Sequence, residues 1–141
     1  MAHTKPDEIS EYLKQYCQAR AIKGELDRKC QALEDRPRLS SPLASNLSTM
    51  REQIEVLRAG MVQAVQNVMD LIDLLPVWSM ERTVVEMRSI DCKKWERIAA
   101  EVHMSRSRVI DYYNAAMQAL ADDERTQEFM EWRGGAGPPW G

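Results

Sequence analysis

Between Thr49 and Pro76 apolar residues recur in alternating steps of four and three: Met50, Ile54, Leu57, Met61, Ala64, Val68, Leu71 and Leu75. A strand turns alternate residues to one face, so this spacing lines up a single apolar face only on an α-helix. At 1.5 Å per residue the seam is about 40 Å long, and its heptad character is that of a helix packed lengthwise on another. Thr49-Met-Arg-Glu52 has the form of a capping box, which places the expected helix start at Thr49. Gly60 weakens the helix locally. A seam of this length needs a second apolar surface, from the same chain or from another copy.

The upstream sequence offers one. Ile9, Tyr12, Leu13, Tyr16, Ala19, Ile22, Leu26, Cys30 and Leu33 also recur by threes and fours. Thr4 is placed to cap that helix and Pro6 is tolerated in its first turn. Its expected end is Asp35, because the residue before Pro37 is pushed out of the α region. Pro37 to Ser48 mixes proline, serine and asparagine without periodicity and reads as a loop. Residues 1–75 are therefore expected to form an antiparallel helical hairpin with its loop at about 36–48. Small and polar residues interrupt the first helix's stripe, so the seam is also a candidate for pairing with a second chain. No segment alternates with period two, and the chain reads as all-α.

Bulk properties exclude several classes. The longest apolar runs are broken by charge well short of the roughly 20 residues that span a bilayer. Met1-Ala2-His3-Thr4-Lys5 leads into charge without an apolar signal core, which makes a cytoplasmic location the expectation. Cys17, Cys30 and Cys92 lie far apart with no paired spacing, and His3 and His103 stand near none of them. They read as three free thiols of a reducing compartment, with no metal site and no cofactor implied. There is no Ser/His/Asp set and no glycine-rich phosphate loop, so an enzyme is not expected.

After Leu75-Pro76 the long seam gives way to three short helices. The first is expected over Ser79–Ser89, with a break at Asp91-Cys92-Lys93-Lys94. The second is expected over Trp95–Val102, and the third begins at Ser105 as N-cap and carries Val109, Tyr112, Tyr113, Ala116 and Leu120. The run from Ala99 through Val102, His103, Met104 and Ser105 to Val109 has helix-turn-helix spacing. A small residue at Ala99 lets two helices cross closely, while Val102, Met104 and Val109 fill the wedge between them. His103 falls where the chain must turn with positive φ, a region histidine visits more than most residues. Ser105 then caps a helix whose first turn, Arg106-Ser107-Arg108, is basic and exposed, as in a recognition helix. The Leu75-Pro76-Val77 junction reads either as a rigid corner or as a hinge.

The segments Arg82–Asp91 (RTVVEMRSID), Lys94–Ala99 (KWERIA), Met104–Val109 (MSRSRV) and Ala115–Leu120 (AAMQAL) resemble sigma-70 region 4. Together with the hairpin, the chain looks like small phage-encoded sigma-region-4-like proteins of the late-transcription-regulator type. The resemblance covers nearly all of residues 8–120, with its motifs confined to 76–120. It implies binding of promoter or operator DNA, with RNA polymerase as a possible further partner, and it turns Arg106, Ser107, Ile110 and Asp111 toward the groove. Ile110 and Asp111 depart from the polar or basic residues usual there. Lys94 replaces the usual Ser/Thr cap, which leaves Asp91 to cap the second helix.

The candidate DNA-contacting residues are Lys93, Lys94, Arg97, Ser105, Arg106, Ser107, Arg108, Asp111 and Tyr112. Arg106 and Arg108 lead the set; Lys93, Lys94 and Arg97 would hold phosphate at the start of the second helix. Arg88 reads as a structural partner of Glu86, Asp91 or Glu101, and Trp95 as core. Of Tyr112 and Tyr113 one should face inward. Charge tempers this reading. Residues 78–121 carry 7 basic and 6 acidic side chains, against 10 and 11 in residues 1–77 and 2 and 5 in residues 122–141. A net +1 is a slight footprint for a phosphate ligand. Asp122-Asp123-Glu124 suits the start of a further short helix through Phe129, Met130 and Trp132, followed by a flexible Gly/Pro tail ending near Trp140.

The units are thus a hairpin (1–75), a helix-turn-helix unit (76–121) and an acidic helix with its tail (122–141). The leading function is a sequence-specific, DNA-binding transcription regulator of phage or prophage type, with helix 105–120 in the major groove and a dimer as the favoured oligomer. The alternatives are an adaptor that binds RNA polymerase or another partner through the hairpin, and an oligomeric DNA-packaging component.

Overall fold

The computed structural model describes residues 4–133, and the side chains of residues 4–130. These fold into helices alone: α1 (Pro6–Leu13), α2 (Gln15–Glu34), α3 (Ser41–Ile72), α4 (Met80–Ser89), α5 (Trp95–Val102), α6 (Arg106–Asp122) and α7 (Glu124–Arg133). None of them is long and apolar enough to cross a membrane. The tail at 134–141 and the side chain of Trp132 lie outside the described residues.

The expected first helix is bent into two. Pro6 opens α1 behind Lys5, which has extended backbone and no side-chain cap, so Thr4 is not the cap. Asp7 and Glu8 in the first turn favourably meet the exposed N–H groups there. The break falls at Lys14, whose N–H tightens onto the Glu11 carbonyl at 3.2 Å. Gln15 Nε2 donates to the Tyr12 carbonyl at 2.9 Å, supplying the partner that the bend removes. The bend lets α1 leave the hairpin axis and lie on α6, with Ile9 and Leu13 fully buried and Ser10 Oγ 2.9 Å from the Tyr113 hydroxyl.

The hairpin itself is α2 against α3. Arg51 pairs with Glu34 beside the connection, and Asn67 Nδ2 donates to Gln15 Oε1 at the other end, so the two helices run antiparallel. Gln63 Nε2 donates in turn to Asn67 Oδ1 at 2.8 Å, giving the buried amides partners that fix the register. Midway, Ala19, Gly60 and Ala64 are buried, and this stretch of the interface is made of small residues.

The connection is shorter than its composition suggests. It spans residues 35–40, and Ser40, not Thr49, is the N-cap of α3, its hydroxyl accepting from the Leu43 N–H. Thr49 lies inside the helix with its hydroxyl on the Ser45 carbonyl, so the capping box is not used. Burial explains the difference. Leu47 extends the seam by another turn and, with Met50, packs with Cys30, Leu26, Leu33 and Leu39 at the hairpin tip. Pro42 falls in the first turn, where it costs no hydrogen bond.

At the other end, the hairpin and the three short helices share one core. Val68, Leu71, Ile72 and Leu75 pack with Ile9 and Leu13 and with Val84, Val85, Ile98, Val109, Ala116, Met117 and Leu120. Burying each such large aliphatic side chain contributes about 1.5–3 kcal/mol, so this cluster dominates the fold's stability. The α3–α4 junction is a braced corner. Arg82 reaches back to the Leu75 carbonyl at 3.2 Å and to Asp73 at 2.8 Å while also pairing with Glu86. The Ser79 hydroxyl donates to the Pro76 carbonyl and accepts from the Arg82 N–H. The same corner leaves Trp78 96% exposed. Past α6, Asp123 begins α7 by accepting from the Arg125 N–H, and Phe129 meets Tyr12 edge-on at 5.9 Å.

The cysteines depart from expectation. Cys17 of α2 and Cys92 of the α4–α5 turn are joined in a disulfide with Cα atoms 5.7 Å apart, and only Cys30, buried in the hairpin tip, remains a free thiol. Residues 75 positions apart carry no spacing signal, and the pairing arises because the bend at Lys14 sets α2 beside the end of α4.

Candidate nucleic-acid interface

The site is built on two turns, both of which use a left-handed residue that is not glycine. The first follows α4. Its last carbonyls are taken by backbone N–H groups of the turn, Asp91 to Glu86 at 3.2 Å and Lys93 to Met87 at 3.1 Å, with Cys92 at φ 57° between them. Arg88 holds the turn from inside. Its guanidinium lies 4.3 Å from the Trp95 ring centroid and donates to the Lys93 carbonyl at 3.0 Å. This cation–π and carbonyl contact replaces the carboxylate pairing expected for Arg88. Trp95 in turn packs edge-on against Tyr113, 5.1 Å away. The interposed turn also keeps Asp91 from capping α5, whose N-cap is Lys94 with no side-chain bond.

The second turn joins α5 to α6 and has the expected design. His103 sits at φ 57°, ψ 44°, and the Met104 N–H closes back on the Ala99 carbonyl at 3.0 Å, a Schellman ending of α5. Ser105 caps α6 through its hydroxyl, which accepts from the Arg108 N–H at 3.2 Å. Val109 beneath is fully buried, and Ile98 and Ala99 close the wedge from α5. These contacts fix the direction of the first turn of α6 independently of any partner.

The candidate side chains fall into two groups. Ser105, Arg106, Ser107, Arg108 and Asp111 are all exposed on the first two turns of α6; Tyr112 is half-buried beside them, and Tyr113 takes the inward position. The Arg108 guanidinium lies 5.9 Å from the Tyr112 ring. The second group surrounds Glu101 of α5, which accepts from Lys93 at 2.7 Å and from Arg97 at 3.0 Å. These two bonds, Lys93 first, hold the Glu101 carboxyl below its ordinary range. Lys94 is exposed and has no carboxylate within ion-pair range among the described residues.

A cross-helix pair was not foreseen. Arg106 meets Glu96 at 3.1 Å, tying the first turn of α6 to the first turn of α5. The Arg97–Glu101 spacing of four could have signalled its pair, whereas Glu96–Arg106 depends on how the helices cross. Asn114 of α6 joins this face without a sequence motif to mark it. It is exposed and lies three residues beyond Asp111 and seven beyond Ser107, on the same face of α6. No group of three or more His, Cys, Asp or Glu residues could hold a metal ion among the described residues.

No family model, curated protein or solved structure matches the chain.

Proposed function

We propose that the α5–α6 unit binds double-stranded DNA with the first turns of α6 in the major groove, as part of a phage-type transcription regulator resembling sigma-70 region 4. The observation that carries this reading is the first turn of α6. Arg106, Ser107 and Arg108 stand together in solvent on a helix capped by Ser105 and anchored from below by Val109. Arginine suits the O6/N7 edge of guanine, and an asparagine such as Asn114 suits the N6/N7 edge of adenine. Lys94, Arg108 and Arg106 would supply phosphate or base contacts, with Asp111 as a selector for a cytosine amino group. The test is a binding titration against a promoter library across salt concentrations. Arg106→Ala/Arg108→Ala should weaken binding and reduce the salt slope by about 0.9 for each phosphate no longer neutralised. Unchanged affinity and slope would overturn the groove assignment.

The hairpin is the proposed dimer element, supported by Ile22 and Val56, which are exposed on neighbouring helices and line one shallow groove with Leu26 and Leu57. Light scattering tests this. A second reading, an adaptor for RNA polymerase, is favoured by one observation: Trp78 and Val77 stand out from the braced corner as an apolar pair. Such an exposed aromatic is the residue type that anchors protein interfaces. A pull-down of polymerase that is abolished by Trp78→Ala and unaffected by the arginine changes would favour the adaptor.

A further inference from the structure

We propose that the Cys17–Cys92 pair is a thiol–disulfide switch that controls how firmly the start of α5, with Lys93 and Lys94, is held against the hairpin. This deepens the DNA-binding reading: a cytoplasmic DNA-binding protein works among reducing thiols, where a disulfide persists only as a transient or sensing bond. Its position suits that role. Cys92 immediately precedes Lys93 and Lys94, and Cys17 lies on α2, so the bond runs from the hairpin to the segment that would present Lys94 to phosphate.

The two residues are also less buried than the third cysteine. Cys17 and Cys92 are both half-buried, whereas Cys30 is 6% exposed within the hairpin tip. A small dithiol or two monothiols can therefore attack the pair. One thiolate adds to a sulfur of the disulfide and expels the other cysteine as thiolate. A second thiolate then displaces the mixed disulfide, leaving two cysteine thiols and one oxidised small disulfide, a two-electron exchange. The released Cys17 thiol has an acceptor in place, because its Sγ lies 3.2 Å from the Ser89 carbonyl. Cys92 holds a left-handed backbone that a non-glycine residue adopts at a cost. Once the covalent tie is gone, non-covalent contacts alone oppose its relaxation, among them the Asp91, Lys93 and Arg88 hydrogen bonds and the Lys93–Glu101 pair.

The oxidised form is therefore the pre-organised one, and it should bind DNA more tightly, by at least about fivefold, the low end of coupling between linked sites. The intact protein is equilibrated in glutathione buffers of graded ratio, thiols are trapped by alkylation, and disulfides are mapped by mass spectrometry. Amide hydrogen exchange over residues 90–95 and DNA affinity are read on the same samples. The expected result is a Cys17–Cys92 link whose reduction speeds exchange in that segment and weakens DNA binding. Cys17→Ser should behave as the reduced form at every ratio, and Cys30→Ser should respond as the wild type. Failure of the link to form at any ratio, or identical exchange over residues 90–95 in both states, overturns the switch. Redox-dependent exchange without DNA binding in either state upholds the switch and overturns the nucleic-acid reading instead.

Discussion

Reduction of the Cys17–Cys92 bond should cost the chain several kcal/mol while leaving it folded, and the size of the loss follows from topology. The bond closes a loop between residues 75 positions apart. On the chain-entropy account a loop of that length removes about 15 cal/mol/K from the unfolded ensemble, or about 4.5 kcal/mol at 25 °C. Relaxation of the left-handed backbone of Cys92 after reduction returns at most about 1–2 kcal/mol, so it offsets only part of this. Single native disulfides generally deliver about 2–4 kcal/mol, so a loss of about 3–4 is expected. With a urea slope of about 2 kcal/mol/M the unfolding midpoint should fall by about 1.5–2 M. Urea melts followed by circular dichroism, on oxidised protein and on reduced protein in excess thiol, measure the difference directly. Cys17→Ser should match the reduced curve. A midpoint shift below about 0.5 M with an unchanged slope would refute the reasoning, since the bond would then not be constraining the unfolded chain.

Two further outcomes follow from the turns and the ion pairs. His103→Gly should stabilise the fold by about 0.5–1 kcal/mol, because glycine adopts the left-handed conformation freely, and His103→Val should destabilise it by about 1–2; thermal melts should move in opposite directions. Glu101, held below its ordinary range by Lys93 and Arg97, contributes stability that is present above the unfolded carboxyl pKa and lost as pH falls through the folded one. Glu101→Gln should therefore flatten the acid limb of stability below about pH 4.5, seen in denaturation midpoints against pH. At neutral pH the same change frees Lys93 and Arg97, so it should also strengthen DNA binding and steepen its salt dependence; an unaltered slope would contradict the assignment.

What was legible in the sequence was what repeats locally. The steps of four and three, the Ser105 cap and the His103 turn each depend on residues within a helical turn or two; α4 and α5 lie where those signals put them to within a residue, and α6 begins behind Ser105 but runs on to Asp122. The start of α3 was hidden by composition. Leu43 and Leu47 continue the spacing of Met50 and Ile54 upstream, but Pro42 and the serines mask it, and only burial against α2 decides the matter. The bend at Lys14 was illegible because α1 follows the same periodicity as α2, while its partner, α6, is a hundred residues away in sequence. The disulfide and the Arg106–Glu96 pair are consequences of that tertiary placement and share its invisibility.

The ion pairs also rank the candidate cations in a way that charge counting could not. Arg106 and Glu96 are both more than half exposed, so their pair contributes at most about 1 kcal/mol and opens at little cost. A hydrogen bond from Arg106 to a charged phosphate, worth about 1.5–3 kcal/mol, would exceed that loss. Lys93 and Arg97 stand differently. They share one carboxylate, and Lys93 and Glu101 are each only about a third exposed, so moving either cation away leaves Glu101 less well satisfied. On the DNA-binding reading, Arg106 and Arg108 are therefore the groups free to reach the duplex, with Lys94 beside them, while Lys93 and Arg97 chiefly steady α5. The net charge of the unit understates its usable charge at the tip of α6 and overstates it around Glu101. That uneven distribution concentrates affinity in a few residues of one helix turn, and it is why a second copy of the unit, held by the hairpin, would add so much to binding.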